Sequence, residues 1–193
     1  NSLRQRQEQI HRHLLSARPA RVILASRWNA YLNGPSAVES DSPADAYWLA
    51  VERQTTPTAM TSFIAMKQGL LEVQETCRSI GATLVILQQV PDMPLIDPAR
   101  TALDHRMGRI RELPAISVTA EAVQQDRMLF NEVLDALDSS MVEVLDPMPV
   151  LADSLGRVSP FQAGRSLYRD NDHLSRSGVE AIRPVIESAL GRR

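Results

Sequence analysis

Toward its end the sequence reads Leu167-Tyr168-Arg169-Asp170-Asn171-Asp172-His173-Leu174-Ser175, with Asp170 three residues before His173. On a turn entering a helix, that spacing lets a carboxylate reach back to one imidazole nitrogen. The bond fixes the tautomer, leaves the other nitrogen to take a proton from a serine hydroxyl, and stabilises the imidazolium that forms. This is the base and its orienting partner in a catalytic triad. A helix N-terminus disfavours a positive imidazolium, and Asp170 would offset that penalty as well. Asp172 is the rival orienter, but an immediate neighbour of the histidine normally directs its side chain elsewhere, so Asp170 is favoured. The competing reading is a polar turn whose aspartate or serine simply caps the helix.

Metal chemistry fits less well. A calcium loop starting at Asp170 would meet leucine where a third oxygen ligand is needed, and it has no turn glycine. Zinc would need more ligands. His11 and His13 are two apart on a helical stretch and point about 200° from one another, and His105 stands in a segment of unassigned structure. No metal and no cofactor are expected.

The elements that must hold this turn can be read from periodicity. Ser2 to Ala17 carries a weak apolar stripe of Ile10, Leu14 and Leu15 and reads as a surface helix ended by Pro19. Arg21 to Ser26 is a β-branched and aliphatic run of the buried-strand type. Asn33 to Asp45, rich in Asn, Gly, Pro and Ser, reads as a loop, and Ala46 to Val51 is ambiguous. Thr56-Pro57 predicts a helix start, with Phe63, Met66, Leu70, Val73, Cys77 and Ile80 at helical spacing and Gly81 as the stop. Thr83 to Leu87 is a second strand, followed by a loop with Pro91, Pro94 and Pro98. Ala99 to Pro114 has no clear pattern. Val123, Phe130, Leu134 and Leu137 mark a third helix, Val142 to Leu145 a third strand, and Asp146 to Arg169 a loop. A last helix starts near Ser175 or Ser177, where Ser177-Gly178-Val179-Glu180 fits a capping box, and buries Val179, Ile182 and Ile186; Pro184 should kink or interrupt it.

Alternating strands and helices of these lengths predict an α/β/α sandwich with a parallel sheet. In such sheets functional groups gather beyond the C-terminal strand ends, here after Ser26, Leu87 and Leu145. With 193 residues, 44% hydrophobic and 23% charged, the composition is that of one soluble globular domain spanning residues 1–193. The net charge of −2 leaves no basic excess for nucleic acid. No apolar run reaches the roughly 18 residues of a membrane span, and the polar stretch 1–21 does not read as a signal peptide. The single cysteine, Cys77, excludes an intramolecular disulfide.

The string Leu167 to Gly178 resembles the Asp-x-x-His block of SGNH hydrolases, in the version found in SGNH domains fused to membrane-bound acyltransferase-3 proteins that O-acetylate bacterial polysaccharides. Val22 to Tyr31 is similar to that subfamily's strand ending in Ala-Arg-Trp, Gln89-Val90-Pro91 to its strand-end Val-Pro, and Val144 to Pro147 to the strand before the Asp-x-x-His loop. The resemblance implies a flavodoxin-like three-layer fold and serine-based acyl chemistry, esterase or transferase, with Asp170 and His173 as triad partners. It places Asn29 as a candidate oxyanion donor, against a simple turn after the strand. Arg27 and Trp28 are candidates for lining the acyl or sugar site, against closing the core edge.

The sequence also departs from the subfamily. The Gly-Asp-Ser block that carries the nucleophile does not occur between Asn1 and Arg193, and by the same comparison the chain starts before the family's third strand, without the first two. Ser26 ends a strand but lacks the glycine of a nucleophile turn. The cysteine pair that precedes the Asp-x-x-His block is absent. The expectation is therefore part of a longer acyltransferase at the periplasmic face of a bacterial inner membrane, moving an acetyl or similar group to a saccharide acceptor. Its serine would lie upstream of residue 1 and this chain alone would turn over little. The expected partners are the saccharide, an acyl donor, the integral-membrane domain of the parent and possible further copies of the chain, since an uncovered sheet edge favours self-association. The alternatives are a non-catalytic carbohydrate-binding or interaction module that kept the fold and lost the serine, and an unrelated α/β phosphoesterase or ligand-binding domain that shares only the architecture.

Overall fold

The computed structural model describes residues 2–33, 49, 58–93 and 97–191. In chain order these form α1 (Ser2–Ala17), β1 (Arg21–Ala25), α2 (Trp28–Asn33), α3 (Ala59–Ile80), β2 (Thr83–Leu87), α4 (Pro98–Arg106), β3 (Val118–Thr119), α5 (Ala120–Asp126), α6 (Met128–Leu134), β4 (Val142–Leu145), α7 (Met148–Leu151), β5 (Arg157–Val158), β6 (Phe161–Gln162), β7 (Arg165–Ser166) and α8 (Arg176–Ala189).

The three aliphatic runs pair as one parallel sheet in the order β1-β2-β4. Leu24 stands opposite Ile86, and Ile86 opposite Val144. Because side chains alternate between faces, Val22, Leu24, Leu84, Ile86 and Val142 share one face. There they pack with Trp28, Leu32, Leu70, Phe130 and Val133 from α2, α3 and α6. Val85 and Leu145 point the other way, onto Ala189 and Val185 of α8. Helices therefore cover both faces of a parallel sheet, as the alternating pattern predicts. A further apolar cluster unites Met93, Val123, Met148, Leu151, Val158, Leu167, Tyr168 and Ile182. It is built largely from segments that follow β2 and β4, and Leu167 and Tyr168 run directly into the Asp170 turn.

Several expectations are corrected. The long helix α3 starts two residues after the predicted Thr56-Pro57: Thr58 is its cap and forms a reciprocal capping box with Thr61, while Gly81 ends it at φ 73°. Thr56 and Pro57 lie outside the described residues, as do Pro94, residues 34–45 of the predicted loop and residues 46–48, 50 and 51 of the ambiguous stretch. The third predicted helix is two, α5 and α6, broken at Arg127, and Leu137 lies beyond α6. The break follows from Arg127, which is 2% exposed. Its guanidinium reaches Asp146 at 2.9 Å, Gln88 Oε1 at 2.8 Å and the Gln89 carbonyl at 2.6 Å, partners that a continuous helix does not supply. The segment without a pattern contains α4, in which Pro98 is the buried residue and which therefore shows little periodicity. Of the two starts expected for the last helix the structure takes Ser175, whose hydroxyl accepts from Gly178 N–H, so the capping box at Ser177 is not used. The helix passes Pro184 without a break, and Val179 is 49% exposed while Ile182 is buried.

Candidate functional site

The strands β1, β2 and β4 are parallel, so the segments leaving them emerge at the same end of the sheet. The Asp170 turn is tied to the segment after β2, where Met93 N–H donates to the Asn171 carbonyl at 2.6 Å. Its own ends close on each other: Arg169 N–H donates to the His173 carbonyl at 2.8 Å and Ser175 N–H to the Leu167 carbonyl at 2.9 Å. Leu167 and Tyr168, both buried, anchor the strand that enters the turn.

Inside the turn the Asp170 carboxylate organises the backbone. Its Oδ1 accepts from the N–H groups of His173 at 2.8 Å and Asp172 at 3.3 Å. The same oxygen lies 3.0 Å from His173 Nδ1, which realises the pair expected from the spacing. Asp172 joins it: its Oδ1 is 2.8 Å from the same nitrogen, and its Oδ2 is 2.6 Å from Arg27 Nε. The Asp172 side chain is only 5% exposed, whereas the His173 side chain is 54% exposed. Among the described residues no side chain occupies His173 Nε2, so that nitrogen faces outward. Arg27, Asp170, Asp172 and His173 thus form one cluster, with a ring held on its Nδ1 side and open at Nε2.

The two carboxyls are pushed in opposite directions. At Asp170 partial burial favours the acid, but the N–H of His173, a bond shared with the Asp172 carboxyl, the Asp172 N–H and the imidazole outweigh it. The carboxylate is held well below the ordinary range. At Asp172 burial and the bond shared with Asp170 raise the pKa, against the opposing charges of Arg27 and His173. Two carboxyls whose proton affinities are pushed apart thus meet on a single imidazole nitrogen. Asp170, Asp172 and His173 also offer three ligand atoms within 4.8 Å of one another, but Arg27 already places a cation on Asp172.

The other expected residues have partners of their own. Trp28 donates its Nε1–H to the Leu87 carbonyl at 2.8 Å and stacks on Phe130 with centroids 4.9 Å apart and planes 6° apart. The structure packs it in the core under the sheet, with its edge on the cleft that Ser26 and Tyr31 also line. Asn29 is buried. Its backbone N–H donates to Gln89 Oε1 at 3.0 Å and its side-chain amide to Asp126 Oδ2 at 2.5 Å. Ser26 is exposed, on the cleft lined by Ile10, Leu14 and Tyr31, and makes no bond to His173.

Sequence reasoning missed the buried polar network behind this cluster. Gln89 links Asn29 to Asp92 through Nε2 at 2.9 Å, and Arg127 ties the ends of β2 and β4 together through Gln88, Gln89 and Asp146. The available signal was the run Gln88-Gln89 directly after a buried strand, two amides where a surface loop would ordinarily turn outward.

A family model described as SGNH domain (fused to AT3 domains) matches residues 1–188. Among solved structures, the periplasmic domain of a lipopolysaccharide acetyltransferase from Salmonella ser. Paratyphi A matches with a TM-score of 0.56 at 13% identity. The match covers 95% of this chain and 61% of that one, so this chain spans less than two thirds of its neighbour's length. No curated protein matches the sequence.

Proposed function

The chain belongs to the family of SGNH domains fused to AT3 domains, and from that premise we propose that it is the acyl-handling part of a membrane-bound acyltransferase. In this reading it works on the periplasmic side, moving an acetyl or similar group from a seryl ester to a cell-envelope saccharide. The observation that carries the reading is the His173 ring, gripped at Nδ1 by Asp170 with Nε2 open.

A serine hydroxyl brought to Nε2 gives up its proton as its oxygen attacks the acyl carbonyl. The imidazolium, stabilised by Asp170, then returns that proton to the departing group. In the second half a saccharide hydroxyl loses its proton to Nε2, attacks the seryl ester and carries the acyl group away, and the proton returns to the serine oxygen. The serine is assigned, on the family resemblance, to the part of the parent protein upstream of residue 1. Asp170 orients the ring, and Arg27 holds Asp172 against the same nitrogen. The oxyanion role of Asn29 rests on the second hydrogen of its amide, since the first is committed to Asp126. The membrane-spanning part of the same parent is the assigned source of the acyl group.

The test is acyl transfer by the full-length protein to its envelope polysaccharide, read as base-labile acetate on the polymer. His173→Ala should lower the rate by a factor of at least about 100, the usual contribution of a positioned general base. Unchanged transfer would show that His173 is not the base, and would favour a module that only binds saccharide.

A further inference from the structure

The Asp170 turn has a second side. Where β7 enters it and α8 leaves it, α4 packs against β7 and the three elements enclose a cleft of about 670 Å³. Arg106 from α4, Arg165 from β7 and Arg176 from α8 line it together with Ser166, Ser175 and Ser177, and no aspartate or glutamate is among the lining residues.

Elsewhere among the described residues several exposed arginines of this chain meet carboxylates. Arg21 pairs with Glu143, Arg78 with Asp138, Arg100 and Arg109 with Asp104, and Arg157 with Asp153. Arg106, Arg165 and Arg176 make no such pair among the described residues, although the chain as a whole carries a net charge of −2. Three like charges in one concavity repel one another, and low-dielectric walls concentrate their field. Arg176 occupies the first turn of α8, which contains no acidic residue; a cation there is unfavourable to the helix, so helix stability does not account for it. Planar guanidinium groups match carboxylate and phosphate oxygens in bidentate fashion. The position of Arg165 is set by the β6–β7 hairpin, which pairs Gln162 with Arg165 and turns through Ala163 at φ 49° and Gly164 at φ 74°. Two positive φ values in a two-residue loop are the signature of a type I′ turn, which fixes the direction of the returning strand.

We propose that this cleft is an anion subsite that holds a carboxylate or phosphate group of the saccharide acceptor while another part of the same chain of sugars reaches His173. The proposal rests on the acyl-transfer reading for the identity of the ligand, but its binding test is separate. The probes are the hexamer and the monomer of galacturonic acid, inorganic phosphate and the neutral hexamer of glucose, each titrated calorimetrically into the protein and into the variant Arg106→Ser/Arg165→Ser/Arg176→Ser. The three positions are exposed, so the variant should fold, which circular dichroism checks. The galacturonate hexamer should bind and lose at least tenfold in affinity in the variant, while the neutral hexamer shows no difference between the two proteins. Displacement of the hexamer by phosphate more readily than by galacturonate monomer would identify phosphate-bearing saccharides as the ligand; the opposite order would identify uronic acids. Equal affinity of the hexamer for both proteins, or no binding to either, overturns the subsite. His173→Ala separates the two readings: it should abolish transfer and leave hexamer binding intact. Loss of hexamer binding in the arginine variant alongside full transfer by His173→Ala would overturn the catalytic reading alone.

Discussion

Asp170 and Asp172 both lie against His173 Nδ1, yet their surroundings move their carboxyls apart, and this gives each a distinct pH signature. The folded pKa of Asp170 is depressed, so it contributes stability that is fully present above its ordinary value near about pH 4 and is lost as pH falls toward the folded value. Asp172 is raised; its contribution is present below the ordinary value and lost as pH rises through the folded one. Asp170→Asn should therefore destabilise the protein at pH 7, and the deficit should shrink at pH 3. With 40% of the Asp170 side chain in solvent, screening holds the difference to about 1 kcal/mol. Urea unfolding at the two pH values checks it, and equal deficits at both would show that the carboxylate charge is not what stabilises the turn. The pairing of Asp170 with His173 was legible because three-residue spacing on a turn is a local relation. Asp172 was set aside on a rule suited to extended chain, where neighbours diverge. Here both N–H groups of residues 172 and 173 turn inward onto one carboxylate oxygen, which carries the Asp172 side chain round to the same ring, and Arg27, distant in sequence, holds it there.

Helix α8 sets the height of the turn through Gly178. A β-carbon there would lie 2.1 Å from the Leu167 carbonyl oxygen and 2.8 Å from Leu174 Cδ2, so the helix can approach the strand entering the turn only where no side chain intervenes. Gly178→Ala must push α8 off Leu167 or break the Ser175 N–H bond to the Leu167 carbonyl. The expected cost is about 3 kcal/mol in thermal or chemical unfolding, in the range of overpacked cores, and on the proposed function acyl transfer by the full-length protein falls as well, because the Asp170 turn moves too. A variant as stable as the parent would mean that α8 does not fix the turn. Element boundaries were legible wherever one local signal decided them: the aliphatic runs of the sheet, Gly81 at a left-handed C-cap, the end of α1 just before Pro19. They were obscure where a distant partner decided. Arg127 splits the third helix for the sake of Gln88, Gln89 and Asp146, and the paired two-residue strands β3, β5, β6 and β7 are too short to show alternation.

The site depends on a core that is not the core of the sheet. Phe130, Leu84 and Ile86 belong to the cluster under α2, α3 and α6, whereas Val158, Met93 and Tyr168 belong to the cluster beneath the Asp170 turn. Leu87 packs against the latter cluster and against the small one under α8, and α8 itself spans both, with Ile182 in one and Ala189 in the other. The architecture of the sheet could be read from sequence because its strands are continuous apolar runs. The second core could not, since it is assembled from single residues on loops and two-residue strands. Such a cluster, with few backbone bonds of regular structure, should open without the sheet. Val158→Ala, at a position with 0% exposure, should cost about 2 kcal/mol and speed hydrogen exchange of amides between residues 153 and 175, leaving the central strand β2 as protected as before. Phe130→Ala should cost about 4 kcal/mol and speed exchange in both regions, because it lowers the stability of the sheet on which the turn is mounted. If Val158→Ala loosened β2 as much as the turn, the two clusters would form one cooperative unit, and motion in the Asp170 turn would require unfolding of the whole domain. If exchange stays confined to the turn, the chain has a rigid parallel sheet carrying a separately adjustable Asp170 turn, and on the proposed function acyl transfer by the full-length protein should fail in Val158→Ala at temperatures where the sheet remains folded.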